Sequence, residues 1–206
     1  MDELIRRIAA ESMIKHIEQE NCYHLIVASG RQEIQLYENN ICYHYCLRAG
    51  EIEIRRLSDD IVVSYLKAPD IVGLSTYDKS QVYHYIKTIS NVELLAIKHE
   101  NFYRMIEEKK LWQEAFTLSI YMLNINYIRD EALASRNVYG IVRHYIEILW
   151  SMEEERNRFS IFEFILSRTN ISRSSLNKIL KDLCLGGYIK MERGKLIDKK
   201  NLPLNY

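Results

Sequence analysis

The 37-residue stretch from Ile161 to Ile197 constrains this chain more than any other. Phe162-Glu163-Phe164-Ile165-Leu166-Ser167-Arg168 reads as a short helix, Thr169-Asn170-Ile171 as a tight turn, and Ser172 to Leu183 as a second helix opened by serines. Two short helices joined by such a turn form a helix-turn-helix. In the second helix Leu176, Ile179, Leu180 and Leu183 share one apolar face, and Arg173, Ser174, Asn177, Lys178 and Lys181 share the other. Beyond it, Gly186 to Met191 and Lys195-Leu196-Ile197 read as two strands around Glu192-Arg193-Gly194, a hairpin with a glycine turn that carries Arg193 and Lys195. An amphipathic surface helix followed by an ordinary hairpin would show the same periodicity. Helix length, turn position, polar-face chemistry and hairpin together favour a winged helix-turn-helix.

The chemistry of the polar face suits double-stranded DNA. Serine hydroxyls and amides at a helix N-terminus, here Ser172, Ser174 and Ser175, suit phosphate oxygens. Arg173 can reach a guanine edge with two parallel bonds, and Lys178 can take either kind of contact. Charge is distributed to match. The whole chain is neutral, with 28 basic and 28 acidic residues, yet from Asn137 onward there are twelve Lys and Arg against eight Asp and Glu, leaving sixteen against twenty before it. A basic rear joined to an acidic front points to DNA binding in the last third and another role ahead of it.

That front part reads differently. From about Tyr23 to Lys98 short runs alternate, as in Glu51 to Leu57 and Ile61 to Leu66, broken at Ala28-Ser29-Gly30, Arg48-Ala49-Gly50, Ser58-Asp59-Asp60 and Ala68-Pro69-Asp70. Many short strands at regular spacing describe a closed or sandwiched β-structure. Before them Leu4, Ile8, Met13, Ile14 and Ile17 suggest an amphipathic helix. After them no proline or glycine interrupts His99 to Ser135, and Leu111, Ala115, Leu118, Met122 and Ile125 recur at heptad spacing. Such a seam packs either on the barrel of its own chain or on a second copy. A reader of palindromic DNA needs a dyad, which favours the dimer. Asn137 is placed to cap the next helix, with its stripe of Val138, Ile141, Val142, Tyr145, Ile148 and Leu149, and a boundary is expected near Ser135-Arg136-Asn137. Glu153 to Arg158 reads as a solvated loop.

Several function classes recede. The six histidines sit in no motif that activates a nucleophile or holds a metal, so an enzyme is not expected, nor a cofactor or a metal. Cys22, Cys42, Cys46 and Cys184 form no C-x-x-C pair, and four residues of strand would hold Cys42 and Cys46 ~13 Å apart, too far for a bridge. With no signal-peptide core and no apolar run near the ~20 residues of a membrane span, a cytoplasmic location is expected.

The order of parts, and above all Ile171-Ser172-Arg173-Ser174-Ser175-Leu176-Asn177-Lys178-Ile179-Leu180-Lys181, resembles the Crp/Fnr family of bacterial regulators. The resemblance covers nearly the whole chain, and Asn137-Val138-Tyr139-Gly140 is similar to the family's hinge. It implies an α+β fold: an N-terminal cyclic-nucleotide-binding-like β-roll of cupin-like jelly-roll type over residues 1–107, a long dimerisation helix over 108–135, and a winged helix-turn-helix over 136–206. By position Arg173 and Lys178 would read bases, with Ser172 and Ser175 on phosphates, and RNA polymerase is a further partner of such proteins. Two departures bear on the operator: Ser174 stands where the family has an acidic residue, and Lys178 where it has an arginine. In the roll, Asp70 to Gln81 lacks both the glutamate and the arginine with which relatives hold cyclic AMP, and a phosphate left unpaired there would be costly. The roll is thus expected not to bind cyclic AMP in the usual way. Two other readings stand beside a dimeric DNA-binding regulator: a redox or small-molecule sensor acting through Cys42, Cys46 or His44, and a winged-helix interaction module without DNA binding.

Overall fold

The computed structural model describes residues 3–76, 82–134 and 137–204. The chain divides into two compact units, Met1–Asn126 and Tyr127–Tyr206. The expected boundary at Ser135-Arg136 lies outside the described residues, as do Tyr77 to Gln81 of the sensor stretch.

The first unit opens with helix α1 (Glu3–Glu20), whose Ala9, Ala10, Met13, Ile14 and Ile17 are buried. Nine strands follow: β1 (Tyr23–Ala28), β2 (Glu33–Gln35), β3 (Tyr37–Glu38), β4 (Ile41–Ala49), β5 (Glu51–Arg56), β6 (Val62–Lys67), β7 (Asp70–Val72), β8 (His84–Thr88) and β9 (Val92–Lys98). They form two antiparallel sheets, one ordered β1-β9-β4-β3 with β7 also on β4, the other β2-β8-β5-β6. Leu47, Ile52, Ile86 and Leu94 fill the space between the sheets. The central strands are buried on both faces, because the opposite face of β4 and β9, with Cys46, Leu95 and Ile97, is covered by helices. This is the expected roll. Its β4–β5 corner turns at Gly50, where φ is +88° and a Cβ would meet the Asn91 carbonyl oxygen at 2.2 Å, so only glycine fits.

The region from His99 to Ala134 holds two helices, α2 (His99–Lys109) and α3 (Trp112–Ala134), so the long helix expected from residue 108 begins at Trp112. Lys110 takes the left-handed conformation, φ 57°, its N–H bonding back to the Glu107 carbonyl, while the N–H of Leu111 reaches that of Ile106 at 2.9 Å. Those bonds and the burial of Leu111 repay the strain that a non-glycine residue meets there.

In the second unit α4 (Val138–Ser151) is capped by Asn137, whose side chain accepts from the Gly140 N–H at 2.8 Å, as expected. Glu153 to Arg158 forms a short helix, α5, and not a loop. Its glutamates stand in the first turn and its arginines in the last, which complements the helix dipole, and Arg156 lies over the Trp150 ring at 4.3 Å. Then come α6 (Ile161–Leu166), α7 (Arg173–Leu185) and the hairpin β10 (Ile189–Glu192) with β11 (Lys195–Lys199). Val142, Ile146, Phe164, Leu176, Leu180, Leu183 and Leu196 meet in this unit's own core. Among the described residues no helix is long and apolar enough to cross a membrane.

Candidate nucleic-acid interface

Helix α7 is fixed from below and open above. Leu176 and Leu183 are fully buried and Leu180 nearly so, which anchors one face in the core. Arg173, Ser174, Asn177, Lys178 and Lys181 are all exposed on the other. Helix α6 sets its position: Ser160 caps α6 by accepting from the Glu163 N–H at 3.1 Å. In the turn, Thr169 donates to the Ile165 carbonyl at 2.8 Å and the buried Arg168 to that of Phe164 at 3.2 Å. The turn's polar groups are thereby satisfied where they are buried.

The serines at the start of α7 are a linked cluster. Ser172 is the N-cap, accepting from the Ser175 N–H at 3.1 Å, and its hydroxyl also contacts those of Ser175 at 2.8 Å and Ser174 at 3.0 Å. Ser172 therefore orders the helix end as well as facing outward, while the exposed Ser174 and Ser175 stand beside it. The wing turns through Arg193 and Gly194, with φ of 50° and 80°, the two left-handed residues of a two-residue hairpin turn. Arg193 is exposed at the tip. Lys195 is not so placed: it is half-buried and its ammonium donates to the Asn157 carbonyl, tying the wing to the end of α5.

Reasoning from the sequence missed Phe162. It is half-buried on α6, and the Arg173 guanidinium lies 5.7 Å from its ring centroid. Phe162, Arg173, Ser174 and Asn177 together line a shallow hollow on the exposed face. An aromatic on an otherwise amphipathic helix carried no signal of which element it would meet.

The expected dimer seam is corrected in part. Leu111, Ala115 and Leu118 are 3%, 7% and 1% exposed, packed with α1 and α2 in their own unit, so they offer a partner no surface. Met122 and Ile125 are half-buried. The large apolar residues of α3 that do face outward are Trp112, Phe116, Leu123, Tyr127 and Ile128. The thiols named for redox sensing are enclosed as well. Cys42 is 2% exposed and Cys46 fully buried, and burial pushes the Cys46 thiol far above its ordinary range, which disfavours its thiolate. His44, the third candidate, is buried too; its Nε2 lies 3.0 Å from Nδ1 of His99 and its ring stacks on Phe102 at 4.2 Å. Burial first, and the charge of His99 second, hold its pKa down at about 3.

In the sensor stretch Asp70 is buried against Arg6 of α1, Nη1 to Oδ2 at 2.5 Å. Arg6 also donates to Glu3 at 2.6 Å, and the Tyr121 hydroxyl of α3 donates to the other oxygen of Glu3 at 3.0 Å. Burial raises the Asp70 carboxyl to about 6 despite the opposing pull of Arg6.

Comparison with known proteins agrees with this geometry. Residues 138–204 match a family model described as winged helix-turn-helix DNA binding. The inhibitor of hydrogen peroxide resistance of Escherichia coli is 31% identical over 147 residues, 70% of either chain. The chain belongs to this family. Its counterpart in Salmonella typhimurium is 35% identical over 103 residues, so that match spans about half of either chain. Solved structures share this chain's fold. They include the c-di-GMP responsive global regulator CLP of Xanthomonas campestris, with a TM-score of 0.73 and 15% identity over 93% of this chain and 100% of that one. A Crp/Fnr-family transcriptional regulator of Eubacterium rectale has a TM-score of 0.69 and 17% identity over 92% and 90%. At these identities the structures establish the fold alone, an α+β chain of Crp/Fnr type with a winged helix-turn-helix at its C-terminal end.

Proposed function

We propose that the protein is a homodimeric, sequence-specific regulator of transcription that reads double-stranded DNA with α7 and the wing. One observation carries this reading: the polar face of α7 is wholly exposed while its leucines are locked in the core, so its side chains are held ready for a groove without cost to the fold. Arg173 and Lys178 take base edges, Ser174 stands beside Arg173 on the base side, Asn177 and Lys181 lie further along the same face, and Ser172 and Ser175 face phosphates at the helix start. Arg193 reaches the backbone from the wing, with Lys195 bracing the hairpin from its bond to Asn157. Residues 136–206 form the DNA-binding part, residues 1–107 the roll, and the helix between them supplies the dyad. The dimer face is the outward stripe of α3, Trp112, Phe116, Leu123 and Tyr127, spaced four, seven and four residues apart.

The roll does not hold cyclic AMP in the usual way. Its sensor stretch has no arginine of its own between Asp70 and Gln81, and the nearby Arg6 is already spent on Asp70, Glu3 and the Pro69 carbonyl. Selection of genomic fragments by the purified protein tests the reading. A palindromic motif is expected, lost in Arg173→Ala and weakened in Lys178→Ala; a motif that survives unchanged in Arg173→Ala would overturn the assignment of α7.

A further inference from the structure

The hollow beside Arg173 has one apolar wall in a polar neighbourhood. Phe162 brings its ring from α6 to the guanidinium, inside the range over which a cation is attracted to an aromatic face. Ser174 and Asn177 close the other sides. An exposed arginine loses rotamer freedom when it binds, so the attraction of a neighbouring ring lowers that cost. The ring also leaves an apolar surface next to the point where the fork of Arg173 would meet a guanine. In the major groove only one base offers an apolar group of matching size, the C5-methyl of thymine.

We infer that Phe162 is a specificity-determining residue which, with Arg173, reads a thymine next to a guanine, its ring receiving the thymine methyl group while the guanidinium pairs with guanine O6 and N7. This rests on the DNA-reading role of α7 proposed above. Phe162 adds to it a second base and a reason for Arg173 to be aimed before DNA arrives. Ser174 fits the same site: a small neutral side chain next to Arg173 leaves the methyl a route into the hollow, where a carboxylate would favour a cytosine amine.

The experiment removes the methyl from the DNA instead of touching the protein. From the selected motif, the guanine whose preference disappears in Arg173→Ala is identified, and the thymine selected beside it is replaced by deoxyuridine; a motif with no thymine beside that guanine would overturn the inference. Affinity of the full-length protein should fall about fourfold, the worth of one buried methyl group. Phe162→Ala should bind the thymine and uracil sites equally, and Phe162→Leu should keep part of the difference, while melting curves confirm that both variants are folded. An Arg173-dependent guanine with no effect of uracil, or with the same loss in Phe162→Ala, would overturn the inference alone. A uniform loss in Phe162→Ala without methyl sensitivity would place the ring on a sugar and likewise overturn it. Absence of any selected motif would overturn the DNA-reading role itself.

Discussion

His44 and Asp70 are buried ionisable side chains that change stability with pH in opposite directions. For His44 the folded value, about 3, lies below the ordinary ~6.5, so in mild acid the unfolded chain takes up a proton that the folded chain refuses. Its contribution is present at neutral pH and is lost as pH falls, by up to about 1.4 kcal/mol per unit. For Asp70 the folded value, about 6, lies above the ordinary ~3.9, so the folded chain holds a proton that the unfolded chain has released, and stability rises as pH falls through that window. Between roughly pH 4 and 6 the two oppose each other. Relative to the parent, the urea midpoint of His44→Phe should rise on acidification across this range, and that of Asp70→Asn should drop. Identical profiles for all three proteins would show that neither group titrates differently on folding. A smaller local effect belongs to α7: Ser172→Ala should cost about 1 kcal/mol of stability through the lost cap, a loss that urea denaturation resolves.

Helix α3 illustrates why one element was only half legible in the sequence. It is apolar around most of its circumference, so a heptad count finds a seam through Leu111, Ala115 and Leu118, and a second through Trp112, Phe116, Leu123 and Tyr127 fits as well. Periodicity states that a stripe exists, and burial decides which one the chain keeps for itself. The two faces should separate cleanly under mutation. Leu118→Ala should destabilise the fold by about 3 kcal/mol through cavity formation while sedimentation shows the same assembly state. Phe116→Glu should keep the unfolding free energy of the protomer within about 0.5 kcal/mol but sediment as a monomer; a variant that stays dimeric would remove α3's outer stripe as the dyad. Elements with a chemical marker were read correctly, such as the Asn137 cap, the serine start of α7 and the Arg193-Gly194 turn. Those without one were not. The break at Lys110 has no glycine or proline because backbone bonds to Glu107 and Ile106 and the burial of Leu111 compensate, and α5 looked like a loop because its stability comes from charge placement rather than an apolar stripe.

For the whole molecule, two units that each bury apolar clusters of their own imply that unfolding is not a single event. Calorimetry should resolve two transitions, of which Leu118→Ala lowers only the first unit's. Operator DNA at 100 times its Kd should stabilise the second by about 2.7 kcal/mol, and cyclic AMP should leave both where they are. A rise of the first transition with cyclic AMP would restore a nucleotide site to the roll. The sequence disclosed the order of the parts because each has its own periodicity and turn chemistry. It could not disclose contacts between distant residues such as His44 with His99 or Arg6 with Asp70, which only the folded sheet and helix layers bring together. The corner at Gly50 has a further consequence for anyone mapping the gene by exhaustive codon replacement. Its left-handed backbone and the Asn91 carbonyl 2.2 Å from any added Cβ forbid every other amino acid. The codon will thus appear as intolerant as a ligand contact although the constraint recorded there is one of backbone shape and space.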